Sequence, residues 1–322
     1  MLTCERPPSV HAMNLTRDDR HALEQLRNLF LSAVPVEAPY WANERLLELY
    51  HATFAQRIAW KWSAVLEELR QLEWMLPEGV VVDFGCGSGI AASTVLDAFG
   101  TESVRELVLI DHSECALSFA TRQLKGAYPS LNVRATTEWD IPPSSTVLIS
   151  HMLTELSASA LEQLAIVLRR ARAIIVVEPG TRYASTRVVM LREKLRGDFS
   201  IVAPCPHQQA CGMLQPSSAR HWCHFHAKPP SEAFTERKWA RFADAFGIDV
   251  GDLSLSFIVL DADWQGNTPA PTRVIGMPDV TPRDCIVTLC TAAGIGERCI
   301  RKAGDRAMYR RFRNDPPRWL ED

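Results

Sequence analysis

The chain has 322 residues, 47% hydrophobic and 23% charged, with a formal net charge of -3. That composition fits one large globular domain or two small ones and excludes a collagen, a long coiled coil and a disordered tail. It also excludes a polycation that coats nucleic acid indiscriminately, so any RNA contact is expected to be local.

No stretch reaches the roughly 18 uninterrupted apolar residues of a membrane-spanning helix, and the opening MLTCERPPSVHAMNL lacks the apolar core of a secretory signal. No membrane partner is expected. From Asn14 to about Pro77, leucines and aromatics recur at three- and four-residue spacing, through HALEQLRNLFLSAV and then ANERLLELYHATFAQRIAWKWSAVLEELRQLEWML. This period predicts an N-terminal helical region over residues 1–78. Pro77, Glu78 and Gly79 end it, and VVVDFGCGSG reads as a buried parallel strand followed by a tight glycine turn. A helix over about 90–99 follows, ended by Gly100, then the strand VRELVLID, a helix opened by Ser113 and a strand near LNVRA. The strand TVLIS, a helix capped near Ser157 and the strand AIIVVE continue the alternation. Such an order predicts an α/β domain over 79–322 with a parallel sheet covered on both faces. At about 201–230 the texture turns to proline, cysteine and histidine, which reads as an insertion after the fifth strand. Two later strand-like runs, LSLSFIVLD and CIVTLC, are candidates to complete the sheet.

In DFGCGSG, Asp83, Gly85, Gly87 and Gly89 lie between a strand and a helix, where glycine lets a ligand approach the backbone at a helix N-terminus. The dinucleotide fingerprint needs its third glycine where Ile90 stands, and no GK[ST] follows to make a phosphate loop. The DxGxGxG form resembles the first motif of class I S-adenosylmethionine-dependent methyltransferases. Asp111 ends the next strand, about twenty residues on, where a carboxylate accepts ribose hydroxyls; His112 beside it is placed to pack on adenine. Trp139 and Asp140 are candidate contacts to the base, and His151 follows the fourth strand at the mouth of the site. Any α/β sheet uses glycines after its first strand; three of them together with Asp111 favour the cofactor. After strand four SHMLTEL replaces the [DN]PP[YF] motif of amino-nitrogen methylation, so the residues support cofactor binding better than methyl transfer.

The segment APCPHQQACGMLQPSSARHWCHF carries Cys205, Cys211 and Cys223 without a core-like hydrophobic period, which suggests that a metal orders it. A fourth ligand would come from His207, His221 or His224, or from Cys285, Cys290 or Cys299. The spacing matches neither a zinc knuckle nor a ferredoxin run, so it leaves the metal open. Nine cysteines, an odd number, otherwise point to a reducing compartment.

CPH, a further cysteine and WCHF after strand five, with LTEL, EPGT and LCTAAGIGERCIRKAG, make most of the chain beyond residue 79 similar to the ribosomal small-subunit methyltransferase-like family of mitochondria and bacteria. The resemblance implies a class I methyltransferase (Rossmann-like) sheet carrying a helical N-terminal region and a Cys-rich insertion. It implies S-adenosylmethionine as cofactor, and the assembling small ribosomal subunit and its rRNA as partners. It further implies a 4Fe-4S cluster on Cys205, Cys211, Cys223 and Cys290, with a structural zinc as the alternative. Gly212 stands where the family has proline. Cys285, five residues before Cys290, would point to the opposite face of a regular strand.

The tail over about 298–322 gathers Arg298, Arg301, Lys302, Arg306, Arg310, Arg311 and Arg313 with Tyr309, Phe312 and Trp319 interleaved, a mixture suited to phosphate contacts and base stacking. The expectation is a ribosome-associated methyltransferase-like protein. The alternatives are a noncatalytic RNA-binding assembly factor and a small-molecule methyltransferase with a zinc site. With Glu5 and few early arginines speaking against a transit peptide, the bacterial cytoplasm is expected rather than the mitochondrial matrix.

Overall fold

A computed structural model describes residues 15–32, 40, 41, 43–266 and 270–320. The expected helix start at Asn14, the leader reading at Glu5 and the last two residues of the basic tail lie outside the described residues. The helical region forms α1 (Arg17–Leu31), α2 (Glu44–Ala52) and α3 (Phe54–Gln71). Thr16 and Asp19 make a reciprocal capping box at the start of α1, and Asn43 Oδ1 accepts from the Leu46 amide at 2.9 Å to open α2.

The main sheet consists of β1 (Gly79–Phe84), β2 (Val104–Ile110), β3 (Val133–Thr136), β4 (Thr146–Ser150), β5 (Ala173–Pro179), β6 (Ser200–Ala203), the two-residue β7 (Phe225–His226) and β8 (Ser254–Asp261). Crossovers α4 (Ile90–Phe99), α5 (Glu114–Ala127), α6 (Ala158–Leu168) and α7 (Arg182–Leu195) cover it, and short α8 (Glu232–Thr235) and α9 (Arg237–Phe246) follow β7. The strand order is β3-β2-β1-β4-β5-β8-β6, with β7 paired to β8. The first five strands run parallel, while β8 lies antiparallel between β5 and β6. This is the class I methyltransferase arrangement. Its order reverses between β1 and β4, and the crevice above their carboxyl ends is where such sheets bind ligands.

A second, four-stranded antiparallel sheet of order β11-β10-β9-β12 is built from β9 (Thr272–Val280), β10 (Asp284–Thr291), β11 (Gly294–Arg301) and β12 (Trp319–Leu320). α10 (Arg306–Asn314) packs Tyr309 and Phe312 on it, against Val274, Cys285, Val287 and Ile300. Three expectations are corrected here. LSLSFIVLD does complete the main sheet, as β8, but CIVTLC is β10 of the second sheet; alternate burial along β10 suits a sheet with two different faces, whereas β5 is buried almost throughout. The stretch read as an insertion begins inside the sheet, because Ser200–Ala203 is β6, the edge partner of β8. Tyr309 and Phe312 are each 1% exposed, so they are core and not base-stacking residues. The arginines of α10 remain in solvent.

The helical region shares one apolar core with the sheet, running from Leu47, Trp62 and Leu69 to Val81, Leu148 and Val259. One buried ion cluster crosses it: Arg273 of β9 donates to both carboxylate oxygens of Glu68 on α3 at 2.5 and 3.0 Å, and Arg318 reaches Glu68 Oε2 at 3.2 Å. Removing one partner of such a pair strands the other charge, which costs about 3–5 kcal/mol, whereas an exposed partner contributes about 0–1 kcal/mol. Glu68→Gln is therefore expected to lower the unfolding free energy by about 3–5 kcal/mol and Arg318→Ala by no more than about 1 kcal/mol, measured by urea denaturation.

Candidate functional site

β1 delivers Asp83 to the interior, where Oδ2 accepts from the Ala92 amide in the first turn of α4 at 3.2 Å and fastens strand to helix. Burial raises this carboxyl to about 7. The glycine turn is shaped by its surroundings. A Cβ on Gly85 (φ +73°) would stand 2.8 Å from Met152 Cγ, and one on Gly89 (φ +75°) would press on Leu124 and Ala120 of α5 at 3.1 and 3.2 Å. Gly87 donates its amide to Asp111 Oδ2 at 2.9 Å, while Asp111 Oδ1 accepts from Ser113 at 2.9 Å, so the acidic side chain at the end of β2 is locked against the turn.

Above these groups lies a cavity of about 340 Å³ over the carboxyl ends of β1, β2, β4 and β5, a size that takes a small organic ligand. Its walls include Gly85, Gly87, Asp111, His112, Trp139 and His151. The His112 ring stands edge-on to Tyr40 at 5.8 Å, and Trp139 packs edge-on to Phe84 at 4.9 Å. Asp140 is absent from the lining and ion-pairs with Arg170 at 3.8 Å in solvent. Its amide closes a tight turn onto Glu138 O at 2.8 Å, and this departs from the base contact expected of it. His151 adopts φ +52°, a conformation few side chains tolerate, and donates its amide to Val177 O at 3.0 Å. Its Nε2 is buried with no hydrogen-bond partner. Burial, then Lys61 and Arg57, hold the imidazole well below its ordinary value, so it is neutral.

Several lining groups were not singled out from the sequence. Tyr40, Trp41 and Tyr50 of the helical region close over the cavity. The Tyr40 hydroxyl donates to Glu155 Oε2 at 3.1 Å, and Trp62 Nε1 donates to Ser150 Oγ at 2.9 Å. Glu178, at the end of β5, accepts from the Met152 and Leu153 amides at 2.8 and 2.9 Å and holds the loop after β4. Burial raises Glu155 to about 8 and Glu178 to about 7, and it brings Lys61, beside Arg57, down to about 7. The signals available were the YW pair just before the Asn43 cap and the glutamates of LTEL and EPGT.

Of the four expected cysteine ligands, Cys205, Cys211 and Cys223 lie on the segment after β6 and Cys290 on β10. Arg192 Nε donates to Cys205 Sγ at 3.4 Å, the Cys211 amide donates to Glu193 Oε1 at 3.2 Å, and Cys290 Sγ lies 3.8 Å from His207 Nε2. Burial pushes the Cys223 thiol up, and Cys205, Cys211 and Cys290 push it further; Cys290 rises to about 12 by burial and then by Cys205 and Cys211. Among the described residues, no three His, Cys, Asp or Glu side chains stand together as a preformed metal-binding group. Of the other candidates, His224 stacks on Trp222 and His221 faces Glu297. Cys285 lies on the opposite face of β10, in the core under α10, and Cys299 is exposed on β11.

A carboxyl raised from 4.5 to about 8 retains its proton in the fold where the unfolded chain has lost it. Its contribution is complete below the unfolded value and disappears as pH rises through the folded one. Compared with Glu155→Gln, the wild-type protein is expected to lose thermal stability progressively between about pH 4.5 and 8, and parallel melting curves across that range would contradict the assignment.

Residues 49–319 match the family described as mitochondrial small ribosomal subunit Rsm22. Solved structures similar to this chain include an S-adenosylmethionine-dependent methyltransferase from Clostridium acetobutylicum (17% identity, 44% of this chain and 59% of that chain, TM-score 0.32). They also include magnesium protoporphyrin IX methyltransferase from Synechocystis with bound S-adenosylmethionine (16%, 58% and 89%, TM-score 0.35). A third is precorrin-6y C5,15-methyltransferase from Geobacter metallireducens (15%, 62% and 86%, TM-score 0.37). This chain thus spans 59% of the length of the Clostridium protein. No curated protein matches it. Among the described residues no helix is long and apolar enough to cross a membrane. The family's description is of a mitochondrial protein, which does not favour the bacterial cytoplasm expected from the sequence. With most of its length matched, the chain belongs to the Rsm22 family of small ribosomal subunit proteins.

Proposed function

We propose that this protein is an S-adenosylmethionine-binding, methyltransferase-like factor of the small ribosomal subunit that works on its RNA during assembly. The observation that carries the reading is Asp111. Its carboxylate is fixed by the Gly87 amide on the wall of a cavity at the point where the strand order reverses, with acceptor capacity to spare for two ribose hydroxyls. Asp83, Gly85, Gly87 and Gly89 shape the turn, His112 and Trp139 flank the adenine, and His151 marks the methyl end. A sulfonium cation suits the place, because Asp83, Asp111, Glu155 and Glu178 are carboxyls whose ionisation burial opposes and a positive ligand restores. When bound, the cofactor supplies an electrophilic methyl group. The protein positions it and keeps water out under Tyr40 and Trp41.

Cys205, Cys211, Cys223 and Cys290 are the residues that would hold a 4Fe-4S cluster. The donor chemistry fits: burial, then the neighbouring thiols, raises Cys211, Cys223 and Cys290, and a bound cationic cluster core would offset both effects. The cluster would cross-link the segment after β6 to β10 and support an RNA-facing surface. Arg298 and Arg301 on β11 and Arg306, Arg310, Arg311 and Arg313 on α10, all exposed, supply phosphate contacts beside it.

A noncatalytic assembly factor is the second reading. It is favoured by the end of β4 and the loop after it, where Ser150, His151 and Met152 stand in place of an amino-nitrogen acceptor motif. Methyl transfer to immature small subunits separates the two.

Asp111→Ala removes a charge-assisted acceptor, and each such bond is worth about 1.5–3 kcal/mol. S-adenosylhomocysteine binding by calorimetry is expected to weaken by about 10- to 100-fold, and unchanged affinity would remove the cofactor assignment. Anaerobically purified protein is expected to be brown with about four irons per chain, and to lose both in Cys205→Ser and Cys290→Ser. Stoichiometric zinc retained in the Cys290 variant would discard the cluster and this fourth ligand.

A further inference from the structure

A second cavity of about 340 Å³ adjoins the first across His151, Pro179, Ile58, Tyr50 and Phe30. Its remaining walls come from α1, α3 and the turn after α9, and they include Phe54, Arg57, Lys61, Asp249 and Asp252. We infer that this cavity receives a single nucleobase swung out of an RNA strand, with the neighbouring phosphate on Lys61. The inference rests on the RNA-directed reading above and names the part of the substrate that enters.

Three observations carry it. The size is at the small end of ligand pockets, which excludes a duplex or a folded peptide and admits one heterocycle. Phe30, Tyr50 and Phe54 supply aromatic surface, and stacking on such rings is how proteins hold an unstacked base irrespective of sequence. Two buried polar atoms on the walls, His151 Nε2 and Arg57 Nε, have no partner, and an unsatisfied buried polar atom is costly enough to mark a place where a ligand completes the bonding.

The charges on the walls are unequally committed. Arg57 spends Nη2 on the carbonyls of Asp249 and Asp252 at 3.0 and 2.7 Å, and Arg27 spends Nη1 on Phe246 O at 2.7 Å. The carboxylates are engaged too: Asp249 accepts from the Gly251 amide at 2.7 Å and Asp252 from the Ser254 amide at 3.0 Å. Lys61 makes no hydrogen bond or ion pair among the described residues, so its amine is uncommitted, and a phosphate beside it would restore the charge that burial opposes. Along the same seam of α1 and α9 lies an open hollow lined by Arg20, Lys238 and Arg241, a basic approach along which a strand could run. The aromatic walls and the uncommitted Lys61 suit a base with its phosphate better than a lysine or arginine side chain of a ribosomal protein, so the observations favour the nucleotide.

The full-length protein is titrated with the four nucleoside monophosphates and with ribose 5-phosphate, as wild type, Lys61→Met and Phe54→Ala, two residues that line this cavity and not the first. S-adenosylhomocysteine affinity is measured on the same preparations. At least one monophosphate is expected to bind tenfold or more tighter than ribose 5-phosphate and to lose at least tenfold in Lys61→Met, while cofactor affinity stays within about twofold. Equal binding of ribose 5-phosphate, an unaffected Lys61→Met variant, or displacement of the monophosphate by a basic peptide that itself depends on Phe54 would overturn the inference. Monophosphate binding that persists in a protein with no affinity for S-adenosylhomocysteine would support this pocket and refute the cofactor assignment alone.

Discussion

The Glu68 carboxylate is the point on which the parts of this molecule converge. It is almost completely buried on α3 and bonded by Arg273 of β9 and by Arg318 just before β12. The Arg273 guanidinium is itself sandwiched between Phe225 of β7 and Trp319 of β12, at 4.6 and 4.5 Å from the ring centroids. A helix from the N-terminal region, the segment that follows the cysteines, and the second sheet therefore meet at one ion cluster. The cluster is costly to desolvate and specific in geometry, so it fixes which surfaces dock rather than merely adding stability.

Fixing α3 there has consequences at its other end. The same helix carries Trp62, which bonds to the last residue of β4, and Ile58, Arg57 and Lys61, which wall the two adjoining cavities. The cysteine-bearing face and the cavity under Tyr40 and Trp41 are thus joined through one rigid element. Around the first cavity, burial favours protonated carboxyls and a neutral imidazole, so these groups contribute little charge of their own and gain most from a cationic ligand.

What was legible in the sequence is what is encoded locally. Helix period, the caps at Ser113 and Ser157, and the run of β-branched residues before three glycines all sit within a few residues of the structure they specify. The two-residue period of β10 likewise separated Cys290 from Cys285. Structure that depends on distant partners was not legible. β6 is four residues long and is a strand only because β8 lies beside it. β10 reads like any buried strand, and its assignment to a second sheet follows from β9 and β11. Tyr309 and Phe312 are interleaved with arginines along the chain, but the helical period turns them onto the sheet and the arginines outward. Tyr40 and Trp41 line the site although no local pattern announces it, and Asp140 is turned away by a tight turn.

The cavity at the β1/β4 reversal is proposed as an S-adenosylmethionine site presented by a small-subunit factor. The most direct measurement is a crystal structure of the protein with S-adenosylhomocysteine. The ribose hydroxyls are expected on the Asp111 carboxylate, the adenine between His112 and Trp139, and the sulfur near His151 beneath Tyr40. A ligand bound elsewhere, or a cavity occupied by the side chains of the protein itself, would contradict it.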